Sequence, residues 1–392
     1  MADAPSDMLQ DELVVCFATL SWDFLWLRHQ ELMARFARAG NRVLFIEPIG
    51  IRMPKWEDRR RILARLQNRQ RAGARGIRRV MENVWVLDPL VNPFQQIGFV
   101  HRRNVRALTH QVRNAMEQVG GGEPIVWTFV PTPLAREVIT KVAPKLVIYD
   151  CMDALTENPK GVFSSFAESE KILSREADIV FVTSHELLER QGALNPHTYY
   201  VPHGVAYEKF AEVSPDEPRA LQNIPHPRLA FFGGIDERVD IALLARLAAQ
   251  HPAWQIVLMG IVRTDITALE KFPNVHFLGH IPHDALPAYL HHVDVYLLPY
   301  VQSAFSRYMN PAKLHECLAV GKPTVATALP CFAEFRDVLS VASSDAEFER
   351  MLIQAISERD AQAVRRRHAR ARENTWEKRF MEINECIEKR MR

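Results

Sequence analysis

Apolar runs of strand length alternate with helix-patterned stretches along most of this chain, and that alternation restricts the fold more than any other feature. One series of runs covers 13–19, 42–48, 84–91, 124–130, 145–150 and 178–184. A second covers 228–232, 255–260, 275–278, 293–299 and 324–326. Strands that are apolar on both faces and separated by helices build parallel sheets covered on both sides, so the predicted class is α/β with two Rossmann-like, doubly wound domains. A length of 392 residues exceeds what one hydrophobic core usually accommodates, which agrees with two domains. The predicted division is a first domain over 1–204, a linker over 205–227 with four prolines and several charges, a second domain over 228–372, and a terminal helix over 373–392.

Several function classes are disfavoured at once. Neither half carries G-x-G-x-x-G after its first strand, and no Walker A loop is present, which argues against an NAD enzyme and a P-loop ATPase. No apolar run approaches the roughly 20 residues needed to span a bilayer. The beginning, MADAPSDMLQDE, is polar and acidic where a signal peptide is basic and then apolar, so a cytoplasmic location is expected. Five scattered cysteines without CxxC spacing read as reduced thiols. There is no DxD, and the 15 histidines show no ligand spacing, so no metal is expected.

The chemistry concentrates in 298–327, LPYVQSAFSRYMNPAKLHECLAVGKPTVAT, which reads as strand, polar loop, short helix and strand. Asn310 is suited to cap the helix, Pro311 to its first position, and Gly321 with Pro323 to its end. Leu314 and Leu318 would face a sheet, while Lys313 and Glu316 share another face. A helix start beyond a strand's carboxyl end offers N–H groups to phosphate; the lysine adds a cation and the glutamate a hydroxyl acceptor, a combination suited to a nucleotide. A charged pair on a solvated helix face is the competing reading. In LAFFGGIDERVD, 229–240, Gly233 and Gly234 after a strand would admit a diphosphate close to backbone. Asn374 and Glu377 have the spacing of a capping box.

The run Pro311, Lys313, Glu316, Ala319, Gly321, Pro323 resembles the donor-site signature of GT-B glycosyltransferases, in particular the family-4-like bacterial enzymes of surface polysaccharide assembly. YVPHGVAYEKF, 200–210, is similar to the segment that links the halves of such enzymes, with His203 in place of Asn, and 374–376 is similar to the start of the helix that crosses back to the first domain. The resemblance implies two domains facing across a cleft, with donor bound by the second and acceptor by the first. It also implies that Glu316 holds the ribose and that Arg238 and Lys313 face the leaving diphosphate. The family's retaining pattern has a second glutamate where this chain has Tyr308, which leaves the stereochemistry open. Donor contacts are thus expected from Gly233, Gly234, Arg238, Tyr308, Asn310, Lys313 and Glu316, with a UDP-sugar as the donor and no cofactor.

In the first half, TLSWDFLWLRHQ opens a helix with Ser21 or Asp23 as its cap and brings Trp22, Asp23 and Arg28 toward that domain's crevice, as expected of acceptor contacts. Anchoring of the aromatics in the core is the alternative. YDCMD, 149–153, ends a strand; Asp153 is the candidate general base for an acceptor hydroxyl, or else a turn cap. From Arg59 to Arg79 the chain has nine arginines and no acid, and Arg61, Arg65 and Arg69 recur at helical spacing. This segment reads as a basic face for an anionic membrane, extended by Arg102, Arg103 and Arg106, or as a solvated loop. A net charge of only +2 argues against a nucleic-acid binder.

Together these readings describe a metal-independent glycosyltransferase that moves a sugar to a hydroxyl of a saccharide or lipid-linked oligosaccharide in polysaccharide synthesis. A catalytically silent nucleotide-sugar or membrane-binding partner, and a nucleotide-sugar epimerase, are the rival readings.

Overall fold

The computed structural model describes residues 9–50, 76–158, 161–162 and 164–392. The chain divides into two compact units, 1–202 with 380–392, and 203–379. Most of the arginine-rich segment, including the helix expected around Arg61 to Arg69, lies outside the described residues. Among the described residues no helix is long and apolar enough to cross a membrane.

The first unit contains strands β1 (Leu13–Phe17), β2 (Arg42–Ile46), β3 (Ile77–Met81), β4 (Val84–Leu87), β5 (Ile125–Thr128), β6 (Leu146–Cys151), β7 (Ile179–Val182) and β8 (Thr198–Tyr200). Helices α1 (Arg28–Arg38), α2 (Gly98–Gln118), α3 (Pro133–Val142), α4 (Phe166–Glu176) and α5 (His185–Gly192) belong to the same unit. The sheet order is β3-β4-β2-β1-β5-β6-β7-β8, parallel except for β3 on β4. Connections leave β1 in opposite directions, so the sheet's switch point lies between β1 and β5. β1, β5 and β7 are buried along their whole length, as strands covered on both faces require.

The second unit carries β9 (Arg228–Phe232), β10 (Gln255–Met259), β11 (Val275–Gly279), β12 (Val295–Leu298), β13 (Thr324–Thr327) and β14 (Ser340–Ala342). Its helices are α6 (Tyr207–Ala211), α7 (Ile241–Gln250), α8 (Thr267–Glu270), α9 (Leu286–His291), α10 (Lys313–Val320), α11 (Asp345–Ser357) and α12 (Ala361–Arg372). The all-parallel order β11-β10-β9-β12-β13-β14 is the doubly wound 3-2-1-4-5-6 arrangement of dinucleotide-type folds. Its switch point lies between β9 and β12, which puts the expected ligand crevice at the loops following those strands.

Residues 205–227, expected as a linker, are instead part of this unit. Phe210 and Leu221 are wholly buried in its core, and Arg228, itself buried, donates to the carbonyls of Leu221, Ile224 and His292 and pairs with Glu217. The segment is packed into the core of this unit rather than forming a free connection. Helix α13 (Trp376–Met391) passes from the second unit into the first. Its cap differs from the expectation: the Thr375 hydroxyl accepts from Lys378 N at 3.3 Å, while the Asn374 side chain turns back to Arg370 O and accepts from Arg379. Within the first unit, Phe380 packs edge-on against Phe36 at 4.8 Å and the Asn384 amide accepts from Leu9 N.

Candidate functional site

The loops after β9 and β12 are tied together by backbone. Asp240 N donates to Pro299 O at 2.7 Å, and Val301 N to Arg238 O at 2.8 Å. The Thr327 hydroxyl pins the second loop, accepting from Tyr300 N at 2.9 Å and donating to Tyr300 O at 2.8 Å. Gly233 turns the chain at φ +100°, a left-handed conformation open to glycine, and its N–H reaches Met259 O at 2.8 Å. Gly260 is the tighter constraint, and sequence reading missed it: a Cβ there would stand 1.7 Å from Gly233 O. Gly234 has only an ordinary contact at its Cβ position, so it is not required on steric grounds.

Helix α10 begins at Lys313, two residues later than Pro311 predicts, and Ala312 occupies the cap position without a side-chain bond. Asn310 therefore does not cap it; it is buried beside Met309. The helix stops as expected at Gly321, φ +83°. Leu314 and Leu318 are fully buried against the sheet, while Lys313 reaches the β9 loop and Glu316 reaches His283. The Lys313 ammonium lies 4.1 Å from the Phe231 ring centre and 5.6 Å from that of Tyr300, and a Cβ on Gly233 would be 2.9 Å from its Nζ. Burial, and then the charge of Arg238, lower its pKa to about 7, against the pull of Asp236 and Glu316.

Arg238 forms two parallel bonds to Asp236, Nε to Oδ1 at 2.8 Å and Nη2 to Oδ2 at 2.6 Å. Burial alone would raise the Asp236 carboxyl; the guanidinium outweighs it and holds the group below the ordinary carboxylate range. Glu316 is held from a third element. Lys209 of α6 donates to His283 Nδ1 at 3.1 Å, and His283 Nε2 lies 3.3 Å from Glu316 Oε1. Tyr308, half-buried, ends a 3₁₀ turn over Ser306–Tyr308 on the loop after β12. Asp236, His283 and Lys209 were not singled out by sequence; the doublet spacing of Asp236 and Arg238 in GGIDER was the one local signal.

The first unit treats its sequence-predicted residues differently. Helix α1 starts at Arg28, so neither Ser21 nor Asp23 caps it; the Gln30 side chain accepts from Leu27 N at 3.1 Å instead. Trp22 is a core residue, edge-on to Phe45 at 5.1 Å and to Trp26 at 5.6 Å, which removes it from the expected acceptor surface. Arg28 is also interior. Its Nε bonds both Asp150 oxygens, at 2.9 and 3.1 Å, its Nη1 bonds Pro202 O, and neither partner of the ion pair has side-chain exposure. Burial raises the Asp150 carboxyl while Arg28 pulls it down. Beside it His29 packs on Phe129 at 3.9 Å and bonds the Thr19 hydroxyl, with its pKa lowered to about 3 by burial and by Arg28. Asp23 is exposed and pairs with Arg78 of β3. Asp153, half-buried, lies two residues past the carboxyl end of β6, and its carbonyl accepts from Leu155 N at 2.9 Å as a 3₁₀ turn begins. No group of three or more potential metal ligands occurs among the described residues.

Two parallel doubly wound units, the second in 3-2-1-4-5-6 order, are matched over nearly the whole chain by solved structures. Sucrose-phosphate synthase from Thermosynechococcus elongatus superposes with a TM-score of 0.70 at 15% identity, covering 96% of this chain and 98% of that one. Anabaena Alr3699/HepE, solved in complex with UDP, gives 0.62 at 13% identity over 97% and 100% of the two chains. The fold is that of the GT-B glycosyltransferases. Within it, residues 226–358 match the family described as Glycosyl transferases group 1. That region contains the Gly233 turn, the Asp236–Arg238 pair and α10. The Bacillus subtilis (strain 168) protein named as a teichuronic acid biosynthesis glycosyltransferase, TuaH, is 30% identical over 204 residues, 47% of this GT-B chain and 51% of the relative. The match thus spans about half the length of that relative.

Proposed function

We propose that the protein transfers a sugar from a nucleoside-diphosphate donor to an acceptor hydroxyl in polysaccharide synthesis. The observation that carries this reading is the meeting of Lys313 with the Gly233 turn at the switch point of the second unit, with Glu316 one turn along the same helix. An ammonium against a left-handed glycine turn suits a diphosphate, and a carboxylate one helical turn away suits a ribose diol. The UDP complex of the Anabaena structure supports uridine as the base, and the name of the Bacillus subtilis relative supports a saccharide or lipid-linked saccharide as acceptor. Asp153 takes the acceptor proton as general base.

Departure of the nucleoside diphosphate requires positive charge. Lys313, protonated on donor binding, and Arg238 supply it in this reading without a divalent ion. Arg238 brings a carboxylate partner with it, so its net contribution is smaller than that of a free guanidinium.

A thermal-shift panel of UDP, GDP, TDP and ADP against wild type and Glu316→Ala tests the donor site. A selective rise with UDP, lost in the variant, is the expected result, because a ligand that binds only the folded state stabilises it. No rise with any nucleotide at millimolar concentration would overturn the reading. Activity abolished by EDTA and restored by a divalent cation would overturn its metal independence.

A further inference from the structure

Four large apolar side chains in the first unit stand in solvent within ten residues of sequence: Leu90, Phe94, Ile97 and Phe99, at 48, 50, 48 and 66% exposure. Isolated exposed apolar residues are ordinary, but a cluster of this kind marks an interaction surface. The loop is not frayed. Asn104 of α2 clamps it, accepting from Asn92 N at 2.9 Å and donating to Asn92 O at 2.8 Å. Gln111, two turns further along, does the same to Leu90, at 2.9 and 3.2 Å. Two side-chain amides thus hold the loop backbone against the helix with its apolar side chains directed outward.

The charge around it has one sign. Between Asp88 and Glu117 the chain has no acid and four arginines. Phe99, Arg102, Arg103 and Arg106 lie at helical spacing on the exposed face of α2, opposite the buried Val100, Val105 and Leu108. None of these three arginines makes an ion pair among the described residues. Two phenylalanines and two aliphatics beside a row of unpaired guanidinium groups match the boundary of a lipid bilayer, with apolar side chains entering the acyl region and arginines meeting headgroup phosphates.

We propose that the loop over 90–97 and the first turns of α2 dock the protein on an anionic membrane. This goes beyond the transferase reading and does not depend on it. Lipid is favoured over a second copy of this chain, because a two-fold interface on this patch would set the arginine row against its own image. It is favoured over nucleic acid because Leu90 and Ile97 offer bases no stacking face.

The test is flotation of the full chain with vesicles of phosphatidylcholine alone and of phosphatidylcholine with phosphatidylglycerol, compared with the double variants Phe94→Ser/Phe99→Ser and Arg102→Gln/Arg103→Gln. All four positions are exposed, and the thermal midpoint of each variant checks that it remains folded. Wild type is expected to float with the anionic vesicles. The phenylalanine variant should lose roughly tenfold or more of that binding at low and high salt. The arginine variant should lose the preference for phosphatidylglycerol and the salt dependence. Failure of wild type to float, equal flotation of the phenylalanine variant, or a concentration-dependent dimer abolished by these changes without lipid binding would each overturn the proposal. A UDP-induced thermal shift is read separately, so failure here and failure of the donor site are distinguishable.

Discussion

The Lys313 ammonium is stacked on the Phe231 ring, 4.1 Å from its centre, at the place where a side chain on Gly233 would collide with it. Its pKa of about 7 makes it a partly neutral amine in the free protein at neutral pH. An arriving diphosphate favours the ammonium and raises that pKa. Below pH 7 the group is charged in both states, so affinity is insensitive to it. Above pH 7 binding must take up a proton, and affinity falls by up to about tenfold per pH unit until the pKa of the bound state is reached. Calorimetry of UDP binding in buffers of different ionisation enthalpy should show proton uptake near pH 8, absent in Lys313→Met.

Arg28 and Asp150 form an ion pair closed to solvent, so the expected consequence of breaking it is loss of stability. Arg28→Met should cost about 3–5 kcal/mol in chemical denaturation, because it strands a buried carboxylate. Removing both charges as Arg28→Met/Asp150→Leu should recover much of that. Full stability of Arg28→Met with a raised acceptor KM would return the arginine to the acceptor site.

The fold was legible because central parallel strands, buried on both faces, appear as unbroken apolar runs. The strands that escaped, β3, β8 and β14, all lie at sheet edges. β3 carries Arg78 and Arg79, which merged it with the basic segment before it. Lys313 and Glu316 were legible because helical spacing is local. The groups that hold Glu316, Lys209 and His283, lie 74 positions apart in the chain, and only the tertiary fold joins them. Trp22 and Arg28 were misread for a related reason: residue types suited to gripping a ligand are equally suited to a core and a buried ion pair, and local sequence does not give the direction of a side chain.

Asp153 stands two residues past the carboxyl end of β6 and is the general base of the proposed transfer. Asp153→Asn should lower kcat by roughly 10²- to 10⁴-fold while leaving UDP affinity unchanged. Initial rates at saturating donor and acceptor, set beside the UDP thermal shift, check both parts. Near-normal turnover would leave Asp153 with the turn it begins at Leu155.

His283 lies between Lys209 and Glu316, and the chemistry of its neighbours fixes its tautomer. Lys209 can only donate, so Nδ1 accepts, the ring proton sits on Nε2, and Nε2 donates to Glu316 Oε1. In the proposed donor site this hold would steady Glu316 for a ribose diol. Removing it by His283→Phe should weaken UDP binding by about 1 kcal/mol, close to the value of one hydrogen bond. The loss should be small with 2′,3′-dideoxy-UDP, which offers Glu316 nothing to accept. Titrations of both ligands against both proteins form a double-mutant cycle, and an equal loss for the two would show that His283 supports the helix in general rather than the carboxylate in particular.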